Sequence, residues 1–202
     1  VGAGIGSTLR ALVRSPGVEA WTALEPDAKL LGRLEAVARE VEGSRRIPVR
    51  ALTGTLAGLP SAERFDAVVY VDVLEHIEDD GAELGRAFER LRPGGRLVVL
   101  APAHAALLSD FDRQVGHQRR YDRSSLSALG PAGARLVALR YLDSVGLLAS
   151  LGNRLLLRAP LPSRAQIRVW DELMVPASRV LDALSLGKLG KSVVAVWERV
   201  AP

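Results

Sequence analysis

The residues able to do chemistry fall in a few short runs of this sequence. The first is Val1-Gly-Ala-Gly-Ile-Gly6, with glycines at positions 2, 4 and 6. Glycine permits positive φ and close backbone approach to a ligand, and such loops open helices whose free N–H groups attract anions. Alone, the loop points to a nucleotide-like ligand and no further. Roughly 20 residues on stands Glu25, a carboxylate placed to accept both hydroxyls of a ribose. The competing reading is a surface Glu capping the helix that begins near Asp27.

Two later runs hold all three histidines of the chain. One is Asp72-Val-Leu-Glu-His76. The other is Ala101-Pro-Ala-His104, followed by Ser109-Asp-Phe-Asp112 and Gly116-His-Gln-Arg-Arg-Tyr-Asp122. Random placement would scatter the histidines, so their clustering favours an active site. Imidazole titrates near neutral pH, so His76 or His117 suits a general base, with Asp112 orienting an imidazole and His104 a further candidate. Arg119 and Arg120 offer guanidinium forks for an anionic group on a substrate, with Tyr121 beside them. The plainer alternative is a network of His117, Arg119, Arg120 and Tyr121 that pins its loop, with Glu75 and His76 capping a helix.

These residues need elements to position them, and apolar runs alternate with helical periods along the chain. Thr8 to Arg14 continues the glycine loop as a short helix. Ala20 to Leu24 reads as a strand ending on Glu25-Pro-Asp27. Leu30, Leu34, Val37 and Val41 then recur at helical spacing and predict a helix ending near Gly43. Ile47 to Leu52 reads as an edge strand, because Pro48 cannot donate to a ladder. Phe65 to Val71 is apolar on both faces over most of its length, as a buried parallel strand should be. Leu84, Phe88 and Leu91 mark a helix that stops before Pro93-Gly-Gly95, and Arg96 to Ala101 is the next buried strand. Pro102 to Asp122 reads as irregular, and Ser124 is placed to cap a short helix through Leu129. Leu136 to Tyr141 and Ser192 to Trp197 supply two late strands, separated by about 50 residues of mixed helix and loop.

Strands alternating with helices imply a parallel sheet with crossovers, whose ligands sit beyond the carboxyl ends of the strands. Each chemical run above follows a strand end. The expected fold is therefore α/β: a Rossmann-like, doubly wound, mostly parallel seven-stranded sheet with helices on both faces. Its first strand should run into Val1 from upstream, so the sequence reads as one that has lost most of that strand. One domain, 1–202, is expected, with a substrate-side insertion at about 142–190.

The layout resembles the class I S-adenosylmethionine (SAM)-dependent methyltransferases of the type-11/type-12 group. The resemblance rests on Val1 to Gly6, Leu24-Glu-Pro-Asp27, Phe65 to His76 and Leu91-Arg-Pro-Gly-Gly-Arg-Leu-Val-Val99, in order and at family spacing. It implies SAM as cofactor, held by Val1, Gly2, Ala3, Gly4, Gly6, Glu25, Pro26 and Asp72, Val73 and Leu74, with Glu75 and His76 facing the reaction chamber. In this group a Gly-Asp pair near the third strand often contacts adenine. Here Gly54 is followed by Thr55, which assigns adenine to Thr55, Leu56 and nearby backbone. Ubiquinone-pathway O-methyltransferases and small-RNA 2′-O-methyltransferases carry a similar acid-x-x-Glu-His pattern that holds Mg²⁺. By that analogy Asp72, Glu75, His76 and His117 form an alternative metal set to the metal-free reading.

The expected reaction is methyl transfer from SAM to a small-molecule or lipid-linked acceptor, on a hydroxyl. Leu142 to Gly190, rich in leucine and including Asn153, Trp170, Asp171 and Met174, is expected to complete the acceptor pocket. Leu147 to Leu157 is a candidate for peripheral membrane contact. The rival readings are a catalytically silent SAM-binding scaffold and an NAD(P)-dependent oxidoreductase; Ser7 at the place of the third glycine of GxGxxG counts against the second. No cysteine is present, which excludes disulfides and zinc-thiolate sites. Acidic residues are interspersed with the arginines and net charge is only +4, so no nucleic-acid partner is expected. No apolar run reaches membrane-spanning length and no signal peptide opens the chain, so a cytoplasmic bacterial enzyme is the expectation.

Overall fold

The computed structural model describes residues 1–152 and 168–200. It divides into two compact units, Val1–Arg64 and Phe65–Pro202.

In the first unit, α1 (Ser7–Leu12) is followed by β1 (Trp21–Glu25), α2 (Leu31–Arg45) and β2 (Val49–Thr53). β1 and β2 pair in parallel, with Leu24 opposite Leu52 and Glu25 opposite Thr53. A parallel pair needs a crossover, and α2 supplies it. Its Val37, Ala38 and Val41 pack with Leu9 and Val13 of the α1 segment, against Trp21 and Val49. The helix runs past Gly43 and ends at Arg46, left-handed at φ 56, whose N–H reaches Glu42 O at 2.8 Å. Gly43 is thus a helix-interior residue, and the stop comes from the αL residue three positions later. Pro48 sits just before β2, where its carbonyl accepts from Trp21 N at 3.0 Å and its missing N–H costs nothing.

The second unit contains β3 (Phe65–Val71), α3 (Asp80–Glu89), β4 (Leu91–Pro102), α4 (Asp110–Gln114), α5 (Arg123–Ala128), β5 (Ala134–Leu142), α6 (Ser144–Gly152), a π turn (Trp170–Met174), α7 (Val175–Leu184) and β6 (Ser192–Arg199). Its sheet has the order β3-β4-β6-β5. β3 and β4 are parallel, and β6 is antiparallel to both β4 and β5. Hence β3, β4 and β5 share one direction and β6 alone reverses. The described residues form six strands, two in the first unit's sheet and four in the second's. Val1 to Ala3 belong to no strand.

Three local expectations are corrected. Leu91 opens β4 opposite Phe65 instead of closing the preceding helix, because Phe65 N donates to Arg90 O at 2.8 Å and recruits the chain into the sheet. The residues after Pro102 are not irregular throughout, since a Ser109–Asp112 capping box starts α4. Asp122, not Ser124, caps α5, its side chain accepting from Ser125 N. β3 is also less enclosed than expected: Val68 and Tyr70 are buried, whereas Asp66 and Ala67 are exposed. On β4, Leu97, Val99 and Ala101 are buried; on β6, Val193, Ala195 and Trp197 are. That period of two marks one fully covered face on each strand. Asn153 and positions 153–157 of the Leu147 to Leu157 run lie outside the described residues. Among the described residues, no helix is long and apolar enough to cross a membrane.

Candidate functional site

In the first unit the glycine loop is a chain of tight turns. Gly2, Gly4 and Gly6 have φ of 63, 52 and 89. Gly6 precedes α1, and a Cβ there would lie 2.8 Å from Val37 Cγ1, so only glycine fits. Ala3 N donates to Leu24 O at 2.9 Å, which ties the loop to β1. At the end of β1, Glu25 accepts from Gly4 N at 2.7 Å through Oε2 and from Asp27 N at 3.0 Å through Oε1. Asp27, not Glu25, caps the following turn, accepting from Lys29 N at 2.9 Å. The Glu25 carboxylate thus fixes the loop and keeps lone pairs for further donors, since an ionised carboxylate has about four acceptor sites. Pro26 continues the chain between Glu25 and Asp27. Thr55 is exposed, whereas the Leu56 side chain is buried.

In the second unit, β3 ends at Val71 and the chain turns through Asp72, whose φ is 51. Asp72 N donates to Leu100 O at 2.9 Å, and Val73 leads into a 3₁₀ turn over Leu74–His76. That turn buries Leu74 and points Glu75 inward with no solvent exposure. Burial, with the Asp72 and Asp112 charges adding to it, pushes the Glu75 carboxyl up to about 7. Burial also raises Asp72.

The loop after β4 returns to this turn. Gln118 N donates to Glu75 O at 2.9 Å, and Gln118 Nε2 donates to His76 O at 3.0 Å. His117 is therefore set beside Glu75 and His76. Its Nδ1 is 3.0 Å from Asp112 Oδ1 and its Nε2 is 3.7 Å from Glu75 Oε1. The His76 and His117 rings meet edge to face with centroids 4.7 Å apart. His76 Nδ1 lies 3.1 Å from Gly116 O.

Asp112 has several donors. Ser109 N and Oγ donate to Oδ2 at 2.7 and 2.6 Å, and Arg120 Nη2 reaches both oxygens at 2.8 and 3.0 Å. Burial raises its pKa, but these donors outweigh burial and hold the carboxyl at about 2. An ionised Asp112 only accepts, so His117 Nδ1 carries the proton. A carbonyl also only accepts, so His76 Nδ1 does too. Both Nε2 atoms are left with lone pairs. Burial lowers the His117 pKa against the Asp112 hydrogen bond.

The structure thus brings Glu75, His76, His117 and Asp112 together. Other candidates are placed differently. His104, at φ 64, pairs Nε2 with Gly190 O at 2.9 Å and stacks on Tyr141. Arg119 Nη1 donates to Asp80 Oδ2 at 2.8 Å, as does the buried Tyr121 hydroxyl at the same distance. Arg120 is only 9% exposed and also donates to Ala103 O, at 3.1 Å. Two residues passed over in the sequence matter here. Asp80 anchors Arg119 and Tyr121, and Lys191 is a half-buried residue whose pKa desolvation lowers, against the charges of Asp143 and Asp72. The Ser-x-x-Asp capping pattern at Ser109 was a legible signal; Lys191 had none.

Residues 1–97 match the methyltransferase domain family. A ubiquinone biosynthesis O-methyltransferase of Bradyrhizobium sp. (strain ORS 278) is 47% identical over 45 residues, which are 22% of this chain and 18% of that protein. The chain's matches cover only 18%, 21% and 24% of the length of the curated relatives. Among solved structures, the YcgJ protein from Bacillus subtilis superposes with a TM-score of 0.62 at 15% identity, covering 100% of this chain and 90% of that one. The [4+2]-cyclase SpnF gives a TM-score of 0.62 at 15% identity, over 100% of this chain and 73% of that one. These likenesses show the Rossmann-like fold, which hosts a cyclase as well and does not fix the reaction.

Proposed function

We propose that this chain, which belongs to the class I SAM-dependent methyltransferases of the type-11/type-12 group, moves a methyl group from SAM to a hydroxyl of a small-molecule or lipid-linked acceptor. One observation carries the choice of a hydroxyl. Two imidazoles stand together with their Nδ1 protons held by Asp112 and by Gly116 O, and their Nε2 lone pairs left to take a proton. Similarity to ubiquinone biosynthesis O-methyltransferases, over part of the chain, supports the same acceptor class.

The residues present fit SAM. The turns at Gly2, Gly4 and Gly6 open the N-terminus of α1, and Glu25 stands at the end of β1 with lone pairs to spare. SAM supplies an electrophilic sulfonium methyl. In this reading Val1 to Gly6 and Glu25, with Pro26, hold its amino-acid and ribose parts. Thr55, with backbone about Leu56, receives adenine. The acceptor hydroxyl must be held in line with the methyl and away from water. His76 is the exposed member of the pair, so its Nε2 takes the hydroxyl proton. His117, with both nitrogens turned to carboxylates, positions it edge on. Arg119, Arg120 and Tyr121 then hold the loop rather than the acceptor. The proposal carries with it a cytoplasmic setting and a single domain with its insertion at about 142–190.

The test is calorimetric titration with SAM and with NADH. SAM binding without NADH binding supports the reading; the reverse outcome replaces it with an oxidoreductase. His76→Ala should retain SAM binding and lose turnover steeply, and unchanged turnover would remove the base assignment.

A further inference from the structure

We infer that the outer face of α7 is the surface by which two copies of this chain associate, antiparallel about a two-fold axis near Val180. The inference does not rest on the methyl-transfer reading. α7 is amphipathic, but it stands inside out. Its polar side faces α6. Ser178 is buried there, and its Oγ donates to Asp143 Oδ1 at 2.7 Å and accepts from Val145 N at 3.2 Å. One turn on, Asp182 accepts from Asp143 N at 2.8 Å and Ser144 N at 2.9 Å, and from the Ser144 hydroxyl. These bonds satisfy the N-terminus of α6 and fix the rotation of α7.

That rotation leaves the apolar side outward. Leu173, Val180, Leu181 and Leu184 are each at least 40% exposed, and Ala177 is exposed among them. Steps of four, three and four lead from Leu173 through Ala177 and Val180 to Leu184, the seam by which one helix packs along another. Leu186 extends the patch, 77% exposed and left-handed at φ 53, a strained conformation that contact with water does not explain. A helix that turns serine and aspartate inward and leucines outward calls for a second apolar surface.

The residues around the stripe select a second copy as that surface. Glu172 precedes α7 and Lys188 follows it, both exposed and each eight residues from Val180. Antiparallel pairing about Val180 sets Glu172 of one copy beside Lys188 of the other, twice, whereas parallel pairing opposes like charges. Ala177 and Ala183, three residues either side of Val180, leave room at the axis for two backbones to approach. A lipid surface would favour basic residues all round the leucines and makes no use of paired small side chains. Arg179 is exposed at the edge of the stripe and stays in solvent.

The experiment is sedimentation velocity on the full chain over a wide concentration range, with thermal melting followed at a dilution where the chain is monomeric. Wild type should pass from monomer to dimer as concentration rises. Val180→Asp sets like charges face to face at the axis and should weaken association about tenfold or more, with monomer melting unchanged. Glu172→Lys should weaken association as well, and adding Lys188→Glu to that variant should restore it. A wild type monomeric at every concentration, a dimer indifferent to Val180→Asp, or a charge swap that restores nothing each overturns the assignment. Monomers that co-sediment with phosphatidylglycerol vesicles would give the face to lipid instead. Earlier melting of monomeric Val180→Asp would give it to contacts within the chain.

Discussion

His117 Nδ1 stands 3.0 Å from Asp112 Oδ1, and Arg120 grips both oxygens of the same carboxylate. The imidazole is thereby held in one tautomer by a group that stays ionised. Asp112→Asn replaces an acceptor-only group with one that also donates, and it leaves the buried Arg120 cation facing an amide. We expect turnover to fall about 10- to 100-fold with SAM affinity unchanged. Steady-state kinetics beside calorimetry reads this; equal losses in both would mean a fold defect instead.

Gly6 precedes α1 at φ 89, where an added Cβ meets Val37 Cγ1 at 2.8 Å. Gly6→Ala therefore imposes backbone strain and overpacks the α2 face together. Urea denaturation should show a loss of about 1–3 kcal/mol. A loss near zero would mean that the loop relaxes freely.

Glu25 joins the loop to the end of β1 through Gly4 N and Asp27 N. Glu25→Ala removes the ribose acceptor and both loop tethers. SAM affinity should fall about tenfold or more, since each charge-assisted hydrogen bond is worth about 1.5–3 kcal/mol. Undiminished affinity would return Glu25 to a purely local role.

The strands and the glycine loop were legible in the sequence because their signals are local. Phe65 to Val71 and Ser192 to Trp197 are short apolar runs rich in β-branched residues, and each forms a strand. The boundaries failed where a contact from elsewhere in the chain intervenes. Leu91 has helical spacing with Leu84 and Phe88, yet the Phe65 N–H takes Arg90 O and draws Leu91 into the sheet. At the site, the histidine cluster could be anticipated from placement, and so could an acid for the imidazole. The destination of Arg120 could not. A guanidinium beside a histidine reads equally as a ligand for substrate or for Asp112, and only the fold of residues 104–121 distinguishes them.

Asp122 caps α5, its Oδ1 accepting from Ser124 Oγ at 2.6 Å and from Ser125 N at 2.7 Å. The Ser124 hydroxyl first and the Ser125 amide next hold its carboxyl below the usual carboxylate range. The folded value is thus lower than the unfolded one. Its contribution is present in full above the ordinary aspartate pKa of about 3.9 and is lost as pH falls through the folded value. Asp122→Ala should cost about 0.5–1 kcal/mol at neutral pH, the low end for an exposed cap. That difference should shrink toward zero in strongly acidic buffer, as denaturation at the two pH values would record; a constant difference would point to helix propensity instead.

Transfer of labelled methyl from SAM to hydroxyl-bearing small molecules of a cell extract bears most directly on the central claim. Wild-type chain should deliver label to a product whose methyl sits on oxygen, and the double variant His76→Ala, His117→Ala should bind SAM yet deliver none. Tight SAM binding with no label transferred by wild type, or equal transfer by the double variant, would contradict it.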